Sequence, residues 1–210
     1  MGHVTKNVTW ATLDIALDGS LIFVQQNWLY IWATAPGMSA WTYQERRSFH
    51  ARADTAIWRG WSDQVTLQAS GSSEVARKLA QAPIPVNFDI RWVLSDPHWT
   101  VQVTKIPKGN FRVSSVNWGS RTIHLDSEDA GTRRTSRTIN QVPVAHEFGH
   151  AVGNTVVLGR GDEYHPGHAH HTDRAAMMNV GHELRERYFR TLIEELNDMI
   201  PGVTFSIHGV

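Results

Sequence analysis

The sequence of 210 residues lacks cysteine, net charge and any long uninterrupted apolar run. The absence of cysteine excludes disulfides, cysteine-ligated zinc and thiol nucleophiles. Because 20 Lys and Arg residues balance 20 Asp and Glu residues, no broad electrostatic field attracts nucleic acid or an anionic membrane. We expect neither as a main partner. The most apolar window, residues 21–35, contains three consecutive amide side chains and is too short to span a bilayer, so it is predicted to be a core strand.

The amino-terminal segment MGHVTKNVTW has neither the cationic stretch nor the apolar core of a signal peptide. We therefore expect no export by that route. Tryptophan and histidine are abundant, with 9 and 12 copies. Most tryptophans fall at strand or helix core spacing, which predicts packing rather than carbohydrate or membrane binding.

The hydrophobic pattern predicts one α+β domain over residues 1–210, with a sheet and helix part at 1–153 and a loop and helix part at 154–210. Alternation in residues 8–33 predicts a hairpin that turns at Asp18-Gly19. Thr42 and Glu45 have capping-box spacing, and the apolar spacing behind them predicts a helix over residues 43–61. The other predicted elements are strands near 65–68, 86–94, 99–107 and 121–126, a weaker helix at 73–81, a helix from about 140–143 to 153, a loop at 154–175 and a last helix at roughly 182–199.

The segment from Val144 to Gly153, VAHEFGHAVG, carries the chemistry. On a helix, His146 and His150 project from one face one turn apart and can share a metal ion. Glu147 follows on nearly the same side, where it can take a proton from a metal-activated water without being a ligand itself.

Two imidazoles and a water do not complete a catalytic zinc site, so a third protein ligand is needed. The downstream candidates are Asp162, Glu163, His165, His168, His170, His171 and Glu183.

HEFGHAVG resembles the zincin active-site helix HExxHxxG, in which Gly153 lets the chain turn sharply and return to the metal. In metzincins the third ligand is a histidine three residues after that glycine, and in snapalysin-type zincins it is an aspartate there. Val156 occupies this position and cannot ligate, so the sequence departs from the strict pattern by a short insertion before Gly161-Asp162-Glu163-Tyr164. The string HEFGH…DEY is similar to bacterial zinc peptidases of the IgA-cleaving type and to toxin metallopeptidase domains of contractile injection systems. By this resemblance Asp162 takes the third-ligand place, with His165 and Glu163 as alternatives.

The same resemblance extends to residues 176–181, AMMNVG, which look like a Met-turn. It implies that Met178, or alternatively Met177, lies beneath the histidines without coordinating the metal. Val180 stands where the usual tyrosine follows that turn, so the oxyanion donor must come from elsewhere. Tyr164 is the preferred candidate because it adjoins the proposed ligand; the alternatives are His165, His182 and Tyr188.

The resemblance implies a zincin-like fold: a mixed twisted sheet with a long backing helix, an active-site helix and a C-terminal helix. In that fold an edge strand lines the cleft and pairs with extended substrate. We expect this edge strand within residues 111–118.

The sequence thus predicts a Zn²⁺-dependent endopeptidase, a monomer that acts on a protein or peptide. The resemblance to injected toxin domains implies a bacterial effector that a secretion or injection apparatus delivers, and a cytoplasmic peptidase is the alternative. A zinc amidase acting on a non-protein substrate such as peptidoglycan, and a non-catalytic metal-binding module, are the alternatives.

The histidines of HPGHAHHTD are expected to lie in a solvated loop, with a second metal or a response to pH as alternatives. The basic run 133–137 is also expected to be a solvated loop, with binding of an acidic substrate or partner as the alternative. Residues 183–187 are expected to form surface ion pairs, or one or two of them to brace the metal site.

Overall fold

The computed structural model describes residues 2–210 and has an α+β fold built on a nine-stranded mixed sheet. The strands are β1 (His3–Val8), β2 (Ala11–Ala16), β3 (Ile22–Thr34), β4 (Thr66–Ser70), β5 (Ile84–Trp92), β6 (Trp99–Lys105), β7 (Ser115–Asn117), β8 (Thr122–Asp126), β9 (Arg133–Arg134), β10 (Asn140–Gln141) and β11 (Thr204–Gly209). The helices are α1 (Tyr43–Trp61), α2 (Glu74–Leu79), α3 (Pro143–Ala151) and α4 (Arg190–Asn197). Strands β9 and β10 form a separate two-stranded ribbon.

The central strand β3 organises the sheet, whose order is β11-β4-β5-β3-β6-β8-β7. Its first half pairs in parallel with β5, from Ile22 opposite Val86, and its second half pairs in parallel with β6. The β1–β2 hairpin is antiparallel to the start of β3. The two outer strands β4 and β11 are antiparallel, so the sheet is mixed, as the sequence predicts.

The hairpin turn at Asp18-Gly19 is confirmed. Gly19 has a φ of 78°, a left-handed conformation that glycine adopts without a Cβ clash, and Ile15 pairs with Ile22 across the turn.

Helix α1 has the predicted bounds, 43–61. The Thr42 side chain accepts from the backbone N–H of Glu45, and the Glu45 carboxylate accepts from the backbone N–H of Thr42, which completes the capping box. The apolar face of the helix is buried against the sheet and α3; its buried residues are Phe49, Ala53, Ile57 and Trp61.

The core beneath α3 is aromatic. Trp61 of α1 lies edge-on to Phe88 of β5, Phe148 of α3 and Phe189, with ring centroids 5.5–5.9 Å apart. The Trp61 indole N–H also donates to the carbonyl of Ala145 at 2.9 Å. These contacts fix α3 against α1 and the sheet.

The sheet ends at β7, which lies within the predicted range 111–118 and pairs antiparallel with β8. The predicted edge strand is therefore an edge strand, although it is only three residues long.

The C-terminal part differs from the prediction. Residues 182–185 are not helical; a 3-10 turn at Glu186–Phe189 leads into α4, which starts only at Arg190. The backbone N–H groups of His182 and Glu183 donate to the carbonyl of Ala175 instead. Strand β11, which the sequence pattern did not indicate to us, returns to pair with β4, so the two predicted parts share one sheet.

Within residues 2–210, no helix is both long enough and apolar enough to cross a membrane.

Candidate metal centre

Helix α3 carries the first two site residues. It begins with Pro143, whose fixed φ and missing N–H suit the first turn of a helix. His146 and His150 lie one turn apart on it with ring centroids 5.0 Å apart. Both side chains are largely buried. The other face of the helix packs into the core.

The two imidazole rings are oriented by backbone carbonyls. His146 Nδ1 lies 2.7 Å from the carbonyl oxygen of Met177, and His150 Nδ1 lies 2.5 Å from that of Asn154. A carbonyl oxygen only accepts, so each Nδ1 carries the hydrogen and donates it. In the neutral rings, both Nε2 atoms are therefore free acceptors, the arrangement that metal-ligating histidines have.

Asp162 completes the group. The Asp162 Oδ1 atom lies 3.0 Å from Nε2 of His146 and 3.2 Å from Nε2 of His150. The chain reaches this position through Gly153, with a φ of 108°, and Gly161, with a φ of 149°. Both angles are unfavourable for residues with a Cβ, and a Cβ at Gly153 would also lie 2.3 Å from Thr191 Oγ1.

Three acceptor atoms thus converge on one point. Two neutral imidazole nitrogens and a carboxylate oxygen repel one another unless a cation or a proton lies between them. Burial raises the pKa of Asp162, but the two histidines, when their Nε2 atoms also carry a proton and donate to this carboxylate, outweigh burial and hold that pKa well below its ordinary value. Burial likewise lowers the pKa of His150, and Asp162 and Glu147 reverse the shift so that the pKa is raised.

The residues present could hold a metal ion. Histidine, cysteine, aspartate and glutamate side chains can ligate a metal. Among residues 2–210, only one group of three or more of these side chains has its ligand atoms within 4.8 Å of one another, and it consists of His146, His150 and Asp162. The group can hold a metal ion, and the sequence pattern singled out all three residues.

The other candidate ligands lie elsewhere. The carboxylate of Glu163 is bound by Arg187, and that of Glu183 is bound by Arg185. His165 packs against Tyr164 with ring centroids 4.4 Å apart. The structure therefore brings Asp162, and not these three, to the two histidines.

Glu147 lies beside the group in the same helix and is buried. Its Oε2 atom has no hydrogen-bond partner among the described residues. A buried carboxylate oxygen without a partner is costly, and a proton or a water molecule held there would relieve that cost.

Tyr164 lies at the rim of the group. Its hydroxyl donates to Asp162 Oδ2 at 3.1 Å, so in this structure it supports the carboxylate from behind. Burial, with the charge of Asp162, raises the pKa of Tyr164 to about 12, and the phenol stays protonated at neutral pH. As an oxyanion donor it would have to turn away from Asp162.

The predicted Met-turn passes directly beneath the helix. Met178 packs so close to Gly149 that a Cβ there would lie 2.3 Å from its sulfur. Met177 contributes the carbonyl that holds His146 and directs its side chain toward Gly60 of α1. Gln141 fixes this turn, because its side-chain amide donates to the carbonyls of Met177 and Asn179 at 3.1 Å.

A partly buried ion-pair network anchors the loop that carries Asp162, and it includes two arginines of the run 183–187, which we expected to form surface ion pairs or, for one or two residues, to brace the metal site. Both carboxylate oxygens of Glu163 accept from Arg187 at 2.7 Å, and one also accepts from the Tyr188 hydroxyl at 2.9 Å. Asp173 accepts from Arg187 and Arg185. The pairing of these arginines with Glu163 and Asp173 is the part that the sequence did not predict.

The basic run 133–137 is only partly the solvated loop we expected. Arg133 reaches inward and binds two fully buried carboxylates, Asp126 at 3.0 Å and Asp129 at 2.5 Å. The backbone carbonyl of Asp129 accepts from Val144 in the first turn of α3. This cluster therefore fixes the start of α3, the helix that carries the two histidines.

Compared with known proteins, the chain matches no protein-family model and no curated protein.

Proposed function

We propose that the chain is a zinc-dependent endopeptidase of the zincin type, in which His146, His150 and Asp162 hold the metal. The convergence of two oriented Nε2 atoms and one carboxylate oxygen on a single point carries this proposal. The HEFGH helix, the DEY string and the turn at Met177-Met178 support the zincin assignment.

Zinc is the metal that this donor set favours. Three protein ligands drawn from imidazole and carboxylate, with a fourth position left open, are typical of catalytic zinc sites. A bound Zn²⁺ would lower the pKa of a water ligand toward about 7 and polarise the substrate carbonyl.

Glu147 is the proposed general base. Its partner-free Oε2 can accept a proton from the attacking water and then deliver it to the nitrogen of the departing amine. Tyr164 is the proposed donor to the oxygen of the cleaved carbonyl. In that role its hydroxyl would give up its hydrogen bond to Asp162 and donate to the substrate instead. Substrate in extended form can add to the free edge of β7.

Metal stoichiometry of the purified protein tests the site. We expect one zinc ion per chain in the wild type and none in His150→Ala or Asp162→Ala. His165→Ala is the matched control, since its ring lies against Tyr164 outside the group, and it should retain the metal. If the wild-type protein binds no zinc even after reconstitution, the proposal is refuted.

Glu147→Gln tests the chemistry separately. The variant should keep its zinc and lose at least a hundredfold in peptide hydrolysis, in the range of general acid–base contributions of about 10²–10⁴. Glu183→Gln, an exposed neighbour of the same size, should hydrolyse as the wild type does. Equal activity of Glu147→Gln and wild type would refute the general-base role, and cleavage of peptidoglycan but not of proteins would make the chain an amidase.

A further inference from the structure

A cavity of about 810 Å³ lies between α1, the start of α3 and residues 182–185. None of His146, His150 and Asp162 lines it, so it is separate from the proposed metal site. Its volume lies within the range of small-molecule sites, about 300–1,000 Å³. The cavity is therefore large enough to take an organic ligand.

The buried part of the cavity lining is apolar. Ala145, Met177 and Leu184 line the cavity and are buried. Gly60 of α1 comes close to two of them, because a Cβ at Gly60 would lie 3.4 Å from Met177 Cε and 3.6 Å from the Cβ of Ala145. Ala56, one turn earlier on α1, also lines the cavity. An apolar group that fills this space leaves water, and that transfer is favourable.

Hydrogen bonds hold the wall of the cavity in place without a ligand. The backbone N–H of Met177 donates to the carbonyl of Glu183 at 2.7 Å, and that of Glu183 donates to the carbonyl of Ala175 at 2.9 Å. The side-chain amide of Gln141 donates to the carbonyl of Met177 at 3.1 Å. Because the wall is already formed, a ligand has little of it to order on binding.

The rim of the cavity carries two arginines, Arg52 and Arg59, and both are exposed. They are seven residues apart on α1, about two helical turns, so they lie on the same side of the helix. No carboxylate of residues 2–210 lies within 4 Å of either guanidinium, whereas Arg185 in the same wall binds both Asp173 and Glu183.

The carboxylates near this rim are already paired. Glu183 is the one acidic side chain among the described lining residues, and Arg185 binds it at 2.9 Å. Glu45 lies in an adjoining hollow that Arg52 also lines, where Lys105 binds it at 2.6 Å. The two rim arginines are thus left for an external anion.

We propose that this cavity binds a small amphiphilic anion, whose apolar body occupies the buried lining and whose carboxylate lies at the rim beside Arg52 and Arg59. A guanidinium pairs with a carboxylate through charge-assisted hydrogen bonds. An inorganic anion would leave the apolar lining unfilled, and a cationic amphiphile would meet like charge. A mostly apolar lining with a few polar groups that fix orientation is typical of small-molecule sites.

Decanoate is the probe, and its binding is measured by calorimetry below its micelle concentration. We expect one saturable site in the wild type. Decylammonium has the same chain with the opposite charge, and it should bind at least about tenfold more weakly because it meets like charge at the rim. No saturable binding of decanoate, or equal affinity for the two amphiphiles, would overturn the proposal.

Filling the cavity tests its apolar part. Ala56→Phe places a ring in the cavity and should weaken decanoate binding at least about tenfold, since the apolar chain loses its buried position. Ala51→Phe places the same ring at an exposed position of α1 outside the cavity and should bind decanoate as the wild type does. Wild-type affinity in a folded Ala56→Phe protein would overturn the proposal.

The rim is tested at exposed positions, where folding is not at risk. The double variant Arg52→Gln, Arg59→Gln should weaken decanoate binding about three- to tenfold. Arg47→Gln removes an exposed arginine of the same helix that does not line the cavity, and it should leave the affinity unchanged. Equal affinity in the double variant and the wild type would overturn the proposal, also in the case that Ala56→Phe does not fold.

Decanoate binding is measured in His150→Ala as well, because a carboxylate is also a metal ligand. This variant should bind decanoate as the wild type does, since His150 does not line the cavity. Loss of binding in His150→Ala would place decanoate at the metal site and overturn the proposal. The outcome therefore does not depend on whether the chain is a peptidase.

Discussion

The sheet half of the molecule and the segment between α3 and α4 are held together in different ways. In the first, long strands and an aromatic core exclude water, and Trp28, Trp61 and Trp99 are fully buried. In the second, residues 152–189 contain only two short 3-10 turns as helical structure. Buried polar groups such as Asn154, Glu163 and Asn179 fix this segment through side-chain hydrogen bonds.

The proposed metal site accounts for this difference. Apolar packing is tolerant of exchange among side chains of similar volume, and it suits a scaffold. A metal ligand must be placed to within a fraction of an ångström, and directional contacts around Asp162 and the two histidines achieve this.

The largest expected effect lies in the scaffold. Phe49 is fully buried and lies edge-on to Tyr30, Trp32 and Trp41. Phe49→Ala should reduce the free energy of unfolding by about 3–5 kcal/mol, measured by urea denaturation. The folded variant should bind zinc with wild-type affinity, because Phe49 touches no residue of the site. Tyr43→Ala on the exposed face of α1 is the control and should change stability little. If Phe49→Ala also lost its affinity for zinc, the scaffold and the site would not be independent of one another.

Glu163→Gln tests the polar region. The substitution removes the bidentate partner of Arg187, which keeps Asp173 as its second counter-charge, and should cost about 1–3 kcal/mol of stability. Unlike Phe49→Ala, it should also weaken zinc binding about 10–100-fold, since Glu163 positions the loop of Asp162. Metal titration beside urea denaturation measures both effects. Glu194→Gln breaks an exposed pair and should alter neither by a measurable amount; wild-type zinc affinity in Glu163→Gln would show that the pair does not position the ligand.

Gly149 lies where the two regions meet. Glycine to alanine within a helix normally stabilises by up to about 1 kcal/mol. Here an added Cβ would collide with the sulfur of Met178 and approach Trp61, so Gly149→Ala should instead destabilise by about 1–3 kcal/mol. Gly119→Ala has room for its methyl group, with the nearest atom 3.5 Å away, and should be close to neutral. A stabilised Gly149→Ala protein, by thermal or urea unfolding, would contradict this packing.

The smallest effect depends on pH. Burial, more than the charge of Asp126, raises the pKa of Asp129 to about 7. The folded protein then holds a proton that the unfolded chain releases near its ordinary value, so this residue contributes stability at low pH that is lost as pH rises toward 7. Asp129→Asn cannot release that proton, and between pH 5 and 8 its stability should improve relative to wild type by on the order of 1–2 kcal/mol. Parallel urea denaturation at both pH values measures this change, and a pH-independent difference would contradict it.

The same contrast explains what the sequence predicts. The capping box at Thr42 and Glu45, the Asp18-Gly19 turn and the spacing of His146 and His150 are local features, and the structure has all three. Residues 182–185 have helical spacing, yet their backbone bonds to Ala175 and Met177 override it. The helix was predicted too early for that reason.

The third ligand depends on contacts that spacing does not reveal. The resemblance favours Asp162 over His165, but both residue types can ligate a metal, and it is the course of the loop that brings Asp162 to the two histidines. That course is set by Gly161 and by the pairing of Glu163 with Arg187, which lies 24 residues further along the chain. Long-range contacts of this kind produce no periodic pattern of residues in the sequence.

The parallel pairing of β3 has a consequence for folding during synthesis. The hairpin of β2 and β3 can form as soon as Ile22 and its neighbours emerge, whereas β5 and β6 follow about 60 residues later. At roughly 5–20 residues per second, one edge of an aromatic strand stays unpaired for several seconds. The nascent chain is then open to intermolecular strand pairing, and slower translation of residues 35–84 would lengthen that exposure.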